Sequence, residues 1–277
     1  MRVGLTSIPD RRGQAGFSLI DLLLTLSLLT ILAGMVPAVV SPAFDQLHVE
    51  QTRLQLLRIR NALVGDPSRT ARNARTEFGY LGDLGALPSA AMGLGALLSQ
   101  PGSVPAYSLD TTVRFGRGWN GPYLESSLGI DWTKDAWGTA LIYDPASVPA
   151  TITSLGADRA SGGSGLGQDL SVQIPSELLS FTLYGFVTDN AGGVYTGAAE
   201  AELNDLDGVG AVSSSPSNLI SVGVNGSFQF TGVTMGKRSV TVYLPSKGTI
   251  GATVIGPVTI TPLTHHVIIP TGHLQTP

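Results

Sequence analysis

The stretch from Phe17 to Val40, FSLIDLLLTLSLLTILAGMVPAVV, limits what this chain can fold into more than any other segment. Asp21 is its one charged residue. Wound as a helix at about 1.5 Å per residue, the run reaches roughly 36 Å, longer than a hydrocarbon core of about 30 Å. Arg2, Arg11 and Arg12 precede it against a single acid, Asp10. Basic residues ahead of an apolar span hold the N-terminus on the cytoplasmic side and send the rest outward. A secretory signal would end in a small-residue cleavage site after the apolar run. Here Pro37 and Pro42 interrupt the tail, and an amphipathic stretch follows. A charge within an apolar helix is costly and calls for a partner, so Asp21 is the first candidate functional residue.

The helix is expected to resume after Pro42. Leu47, Leu54, Leu57 and Val64 recur on one face, and Arg53, Arg58 and Arg60 fall elsewhere. Pro37 predicts a kink or local melting. Gly65-Asp66-Pro67 is a strong stop. Residues 66–110 carry moderate helical patterning, and Ala140-Leu141-Ile142-Tyr143 reads as a short apolar strand.

The residues in front of the apolar run, Arg11-Arg12-Gly13-Gln14-Ala15-Gly16-Phe17-Ser18-Leu19-Ile20-Asp21, resemble the class III signal of type IV prepilins and type II secretion pseudopilins. The resemblance implies cleavage by prepilin peptidase between Gly16 and Phe17 and N-methylation of the new Phe17 amine. It also implies docking of that amine against the Asp21 carboxylate of a neighbouring subunit. The family usually carries glutamate where this chain has Asp21, one methylene shorter, which bears on methylation and docking.

Further along come Trp119-Asn120-Gly121-Pro122-Tyr123-Leu124, Asp135-Ala136-Trp137-Gly138, and Ser154-Leu155-Gly156-Ala157-Asp158 with a glycine- and serine-rich loop ending at Asp169-Leu170. In this order they resemble the major, G-type pseudopilin of type II secretion, over about residues 11–172. Trp119 and Trp137 read as core anchors rather than ligand platforms. Asp158 and Asp169 are hard oxygen ligands on flexible chain, suited to Ca²⁺ together with backbone carbonyls. An EF-hand is excluded. Gly163 fits its sixth position, but Ala160 and Gly162 at the third and fifth offer no side-chain ligand, and Asp169 stands where glutamate is required. The pseudopilin resemblance implies calcium held by Asp158, Asp169 and the Leu155 carbonyl, with Ala160 a further carbonyl where the loop alignment is loose. Arg159 replaces the family's usual glycine. Two carboxylates predict weak affinity, matched to the calcium outside the cytoplasm.

An ordinary member of that family would end near residue 174. Here Pro175 opens a new pattern of short apolar alternations: 181–187, 199–203, 226–230, 239–244, 253–260 and 267–269. Strands at this spacing predict a β-sandwich. Gly185-Phe186-Val187-Thr188-Asp189, Asn225-Gly226-Ser227-Phe228-Gln229-Phe230 and Gly236-Lys237-Arg238-Ser239-Val240 resemble the carboxypeptidase-regulatory-like sandwich family, whose members are usually structural or adhesive. Asp205 and Asp207 read as a solvated D-x-D pair. His265 and His266, adjacent on a strand, point to opposite faces and cannot readily share a metal.

The expected architecture is thus an α+β pilin fold, with a long N-terminal helix on a small antiparallel sheet, followed by an all-β sandwich. Its parts are a leader at 1–16, a transmembrane and assembly helix at 17–65, a head with the calcium loop at 66–174, and the sandwich at 175–277. The chain lacks cysteine, which removes disulfides, thiolate metal sites and cysteine nucleophiles. Only 13% of residues are charged and the net charge is −4, which argues against nucleic acid as a partner. No catalytic triad, histidine metal set or phosphate loop is legible, so an enzyme is not expected. The expected product is a homo-oligomeric filament, assembled by a secretion or pilus platform in the inner membrane. Each subunit would span that membrane once with its head in the periplasm. A minor or surface-displayed pilin with an adhesive sandwich is the alternative.

Overall fold

The computed structural model describes residues 18–71, 74–125, 129–189, 191–213, 218–244, 253–260 and 266–270. The side chains of 32–43 and 74, and of most of 253–270, lie outside that description. So do the leader, Gly16, Phe17 and His265. By internal contacts the chain divides into Met1–Leu47 and His48–Pro277.

Helix α1 (Leu19–Val64) is 46 residues long. Ser18 starts it: its carbonyl accepts from Leu22 N at 3.1 Å and its hydroxyl from Ile20 N at 3.3 Å, the bonding of an N-cap. Asp21 falls in the first turn, where the helix dipole favours a negative charge. Thr25, Ser27 and Thr30 donate to the carbonyls of Leu22, Leu24 and Ser27 at 2.8–3.0 Å, so these polar groups are satisfied within the helix. Every large apolar side chain from Leu19 to Ile31 is at least 57% exposed, so the apolar surface is left for an external partner. Among the described residues no helix is long and apolar enough to cross a membrane. Only 19–31 of the apolar run have described side chains. The helix does not melt at Pro37 or Pro42. Each proline forfeits one backbone donor, a local loss that the turns on either side absorb.

In the second unit, the face of α1 turned to the core is Thr52, Gln55, Leu56, Ile59, Ala62, Leu63 and Val64. This corrects the expected stripe, because Leu47, Leu54 and Leu57 are 57, 57 and 43% exposed. The helix carries two leucine-bearing faces, and the head takes the one on which polar residues can also bond. Gln55 Nε2 donates to the carbonyls of Asp131 and Lys134 at 3.2 and 2.6 Å, and Thr52 Oγ1 accepts from Ala136 N at 3.2 Å. Arg75 closes the end of the helix, donating to Val64 O and Gly65 O at 2.6 and 2.8 Å. A cation there meets the carbonyls that the last turn leaves without partners.

The helical patterning at 66–110 resolves into smaller pieces. Strands β1 (Thr70–Ala71) and β2 (Ala74–Arg75) pair as a hairpin, and a short helix α2 (Gly79–Leu84) buries Tyr80, Leu81 and Leu84. Strands β3 (Ser108–Asp110) and β4 (Phe115–Arg117) pair antiparallel. β5 (Ile142–Asp144), β6 (Ala150–Ser154) and β7 (Leu170–Ile174) form an antiparallel sheet in that order. Alternation along β6 turns Ala150, Ile152 and Ser154 inward. Ile152, Ile174 and the buried α1 residues share one core with α2.

The last third forms two sheets. One runs β10 (Leu219–Ser221), β9 (Glu200–Asn204), β12 (Gly236–Tyr243), β13 (Thr253–Ile260). The other runs β11 (Ser227–Thr234), β8 (Ser180–Thr188), β14 (His266–Pro270), with β14 parallel to β8. Leu183, Val187, Phe228 and Phe230 from the second sheet meet Ala201, Leu203, Val240 and Val242 from the first in a single core, the arrangement of a sandwich.

Arg238 on β12 is wholly buried. It is paired with Asp205, and its Nη1 donates to Gly82 O on α2 at 2.9 Å. Gly210 N donates to Leu84 O, Thr234 Oγ1 to Gly85 O, and Met235 lies in the core of the head. The sandwich is therefore bonded to α2 rather than tethered by a linker. Asp205, expected to be solvated, is 8% exposed because it neutralises Arg238 and accepts from Leu206 N and Thr234 N. Removing one partner of a buried pair strands the other, so Arg238→Met should lower the unfolding free energy by about 3–5 kcal/mol. Adding Asp205→Asn should recover part of that loss, since it removes the unpaired buried charge while its one amide oxygen still accepts from one of the two backbone donors. Urea unfolding followed by tryptophan fluorescence checks both variants.

Candidate functional site

The three motif segments of the head converge on two places. In the first, Trp119 Nε1 donates to Ala96 O at 2.8 Å, and its ring meets Tyr123 edge-on at 5.9 Å. The Tyr123 hydroxyl donates to Asp83 Oδ2 at 2.9 Å. Trp119 is thus a core anchor, as expected. Trp137 is half-buried, with its ring edge-on to His48 at 5.6 Å. Sequence reasoning passed over Trp132, which is 2% exposed and donates from Nε1 to Glu125 O at 2.9 Å. Its place three residues before the D-x-W-G aspartate was the available signal.

A cavity of about 390 Å³ lies beside this cluster, lined in part by Asn61, Tyr107, Asn120, Tyr123, Asp83 and Lys237. It does not include the glycine-rich loop. Burial pushes the Asp83 carboxyl up to about 6, against the opposing pull of the Tyr123 hydroxyl and of Arg238 and Lys237.

The second place is the loop between β6 and β7. Asp158 Oδ1 accepts from Ala160 N at 3.0 Å, and Asp169 Oδ2 accepts from Gly162 N at 3.0 Å. Asp169 N in turn donates to Gly162 O at 3.0 Å, and Ala157 N to Leu166 O at 3.1 Å. These bonds fold the loop back on itself. A β-carbon at Gly163 would lie 2.8 Å from Asp158 Oδ2, and one at Gly167 would lie 2.7 Å from it. Both glycines thus make room for that carboxylate, and Gly163 also needs its φ of +74°. The two aspartates, eleven positions apart in sequence, both meet the Gly162–Gly163 turn.

Whether this set suits a hard cation can be tested on one atom. Asp169 Oδ1 is shielded from solvent and has no hydrogen-bond donor. A carboxylate oxygen in that state is costly unless a cation or donor satisfies it. Among the described residues there is no cluster of three or more His, Cys, Asp or Glu able to hold a metal. The donor set is therefore two carboxylates supplemented by backbone carbonyls, which fits Ca²⁺ and not Zn²⁺. Arg159 stands at φ +58°, a left-handed conformation that favours glycine, and its Nη2 donates to Trp137 O at 3.3 Å. Asp207 Oδ1 accepts from Val209 N and Ala211 N, which ties it into its own turn. Asp21 belongs to the first unit, apart from this loop in the chain's division.

The C-terminal part of a long helix is buried against α2 and a small antiparallel sheet, and both places described above lie in this head. Residues 78–173 match the family model described as type II secretion system (T2SS), protein G. The match contains all three motif segments and both loop aspartates. No curated protein sequence matches the chain. Among solved structures, the major pilin subunit BcpA of Bacillus cereus, in its D312A form, is similar at 14% identity and a TM-score of 0.23. That similarity covers 47% of this chain and 38% of the pilin.

The Asp83 carboxyl gives a pH prediction. Its folded value, about 6, lies above its ordinary 3.8, so the folded state holds the proton more tightly than the unfolded chain. Stability should therefore fall as pH rises from about 4 to about 6, by up to about 3 kcal/mol at about 1.4 kcal/mol per pH unit. Asp83→Asn should remove that fall and leave the protein more stable at pH 7. Unfolding curves collected from pH 4 to 7.5 check it.

Proposed function

We propose that this chain is a pilin-like structural subunit, processed at Gly16–Phe17 and assembled into a type II secretion pseudopilus that supports protein export. The observation that carries the reading is the protein G match over 78–173 on a head that buries the C-terminal half of α1. The exposed apolar half of the same helix supplies the surface to be covered, first by a bilayer and then by neighbouring subunits. The apolar run of residues 17–40 supports a single span, with the head in the periplasm. In the filament the Phe17 amine would meet Asp21, whose place in the first helical turn eases the cost of its charge. Prepilin peptidase and the inner-membrane assembly platform are the implied partners.

In this reading the β6–β7 loop holds Ca²⁺ through Asp158, Asp169 and the Leu155 carbonyl and stiffens the head outside the cytoplasm. A second reading, a surface-displayed or minor pilin with an adhesive sandwich, is favoured by one observation. The sandwich is bonded firmly to α2 and would be presented as a fixed addition to the head.

Intact-mass measurement of the chain made alongside prepilin peptidase tests the processing. The expected product starts at Phe17, and the same spectrum reports whether its amine is methylated. A Gly16→Leu variant should keep the leader. Calorimetry on the purified chain should show calcium binding with a dissociation constant of about 0.1–1 mM. Asp158→Ala should abolish the heat, and no heat from the unsubstituted chain at millimolar calcium would remove the site.

A further inference from the structure

The calcium reading names the Leu155 carbonyl as a ligand, and a carbonyl serves only if its peptide plane is turned correctly. Two buried side chains outside the loop control that plane. Ser154 is fully buried and Asp135 is 6% exposed. Ser154 Oγ donates to Asp135 Oδ2 at 2.7 Å. The other oxygen of Asp135 accepts from Trp137 N at 3.0 Å and Thr139 N at 2.8 Å. With three donors converging on it, Asp135 serves as an acceptor, so the single hydroxyl proton of Ser154 is committed. The lone pairs of Ser154 Oγ then face Gly156 N, which donates to it at 3.2 Å.

That amide belongs to the peptide unit whose carbonyl is Leu155 O. Among the described residues the cis bonds are Gly121–Pro122 and Val148–Pro149, so the Leu155–Gly156 unit is trans. In a planar trans unit the N–H and C=O point in opposite directions. Drawing the amide in toward Ser154 therefore turns the Leu155 carbonyl away from Ser154, at the point in the chain where the Gly156–Asp169 loop begins. Gly156 permits the turn with φ +68°, and a β-carbon there would lie 2.7 Å from Gln168 O on the returning limb of the loop. Asp135 is itself held in place, because Thr52 and Gln55 of α1 bond the 131–136 segment around it.

We propose that Ser154 and Asp135 are positioning residues that aim the Leu155 carbonyl at the cation. The proposal rests on the calcium reading of the loop and adds two residues that touch no ion. It also gives the D-x-W-G aspartate a task in the loop, through Ser154. Partners of metal ligands at this remove typically alter affinity by about 10–100-fold.

The test uses the full chain in detergent, with calcium calorimetry and the luminescence lifetime of bound Eu³⁺, which counts the waters on the ion. Ser154→Ala should weaken calcium binding by about tenfold or more. It should also raise the water count by about one, as water replaces the misdirected carbonyl. Ser154→Thr, which keeps the hydroxyl, should stay near the unsubstituted chain in both readouts. If Ser154→Ala does not fold, Ser154→Cys, which fills the space with a weak acceptor, takes its place with the same expectation. A smaller loss of affinity, or a loss with no change in bound water, overturns the positioning role. If the unsubstituted chain binds no calcium, the calcium reading itself has failed, an outcome separate from the first.

Discussion

Arg238 is shut away from water; burial lowers its pKa, the paired Asp205 opposes that shift, and a guanidinium starts so far above neutrality that it stays charged. Its donors must therefore be matched, and the acceptors come from three parts of the chain. Asp205 follows β9, Gly82 O lies on α2, and Met235 O precedes β12. Any arrangement that moved α2 away from β12 would break the bond to Gly82 O and uncover the buried Arg238–Asp205 pair. The sandwich and the head are consequently parts of one compact unit, His48–Pro277. Arg75 does similar work at the end of α1, where it bonds two terminal carbonyls and reaches Met235. The two buried cations link the helix, the head and the sandwich.

This arrangement bears on what a filament built from the chain would look like. In the proposed assembly the helices bundle through the leucines and isoleucines of residues 19–31 and leave the heads outside. Because the sandwich is bonded to α2, it would project from each head at a fixed place rather than trail on a linker. The β6–β7 loop belongs to the same head and is tied to α1 through Asp135, Thr52 and Gln55. A cation in that loop would therefore stiffen the part of the head resting on the helix.

Much of this was readable from residue order alone, for definite physical reasons. Burial in β8, β9 and β11 roughly alternates with period two, and these strands, together with β12, β13 and β14, fall within a few residues of the apolar segments in the sequence. β10 was not legible, because a three-residue strand has too little pattern to detect. The buried face of α1 was misread because two leucine-bearing faces run along the same helix, and periodicity cannot say which one the head will take. The aspartates of the glycine-rich loop were legible from spacing and resemblance, and the structure brings both to one turn. The environment of Asp205 was not, because the guanidinium that neutralises it lies 33 positions away. The Asp135–Ser154 bond was hidden in the same way, since it joins two motifs that a linear reading treats separately.

The central claim is that this chain forms the shaft of a filament, with its sandwich repeated along the length. Electron microscopy of filaments from cells in which it is the sole pilin-like subunit tests that directly, with a small tag inserted in the exposed turn at Ala191–Gly193. The account predicts filaments bearing label at regular intervals from end to end. Label confined to tips, or no filaments from processed protein, would contradict it.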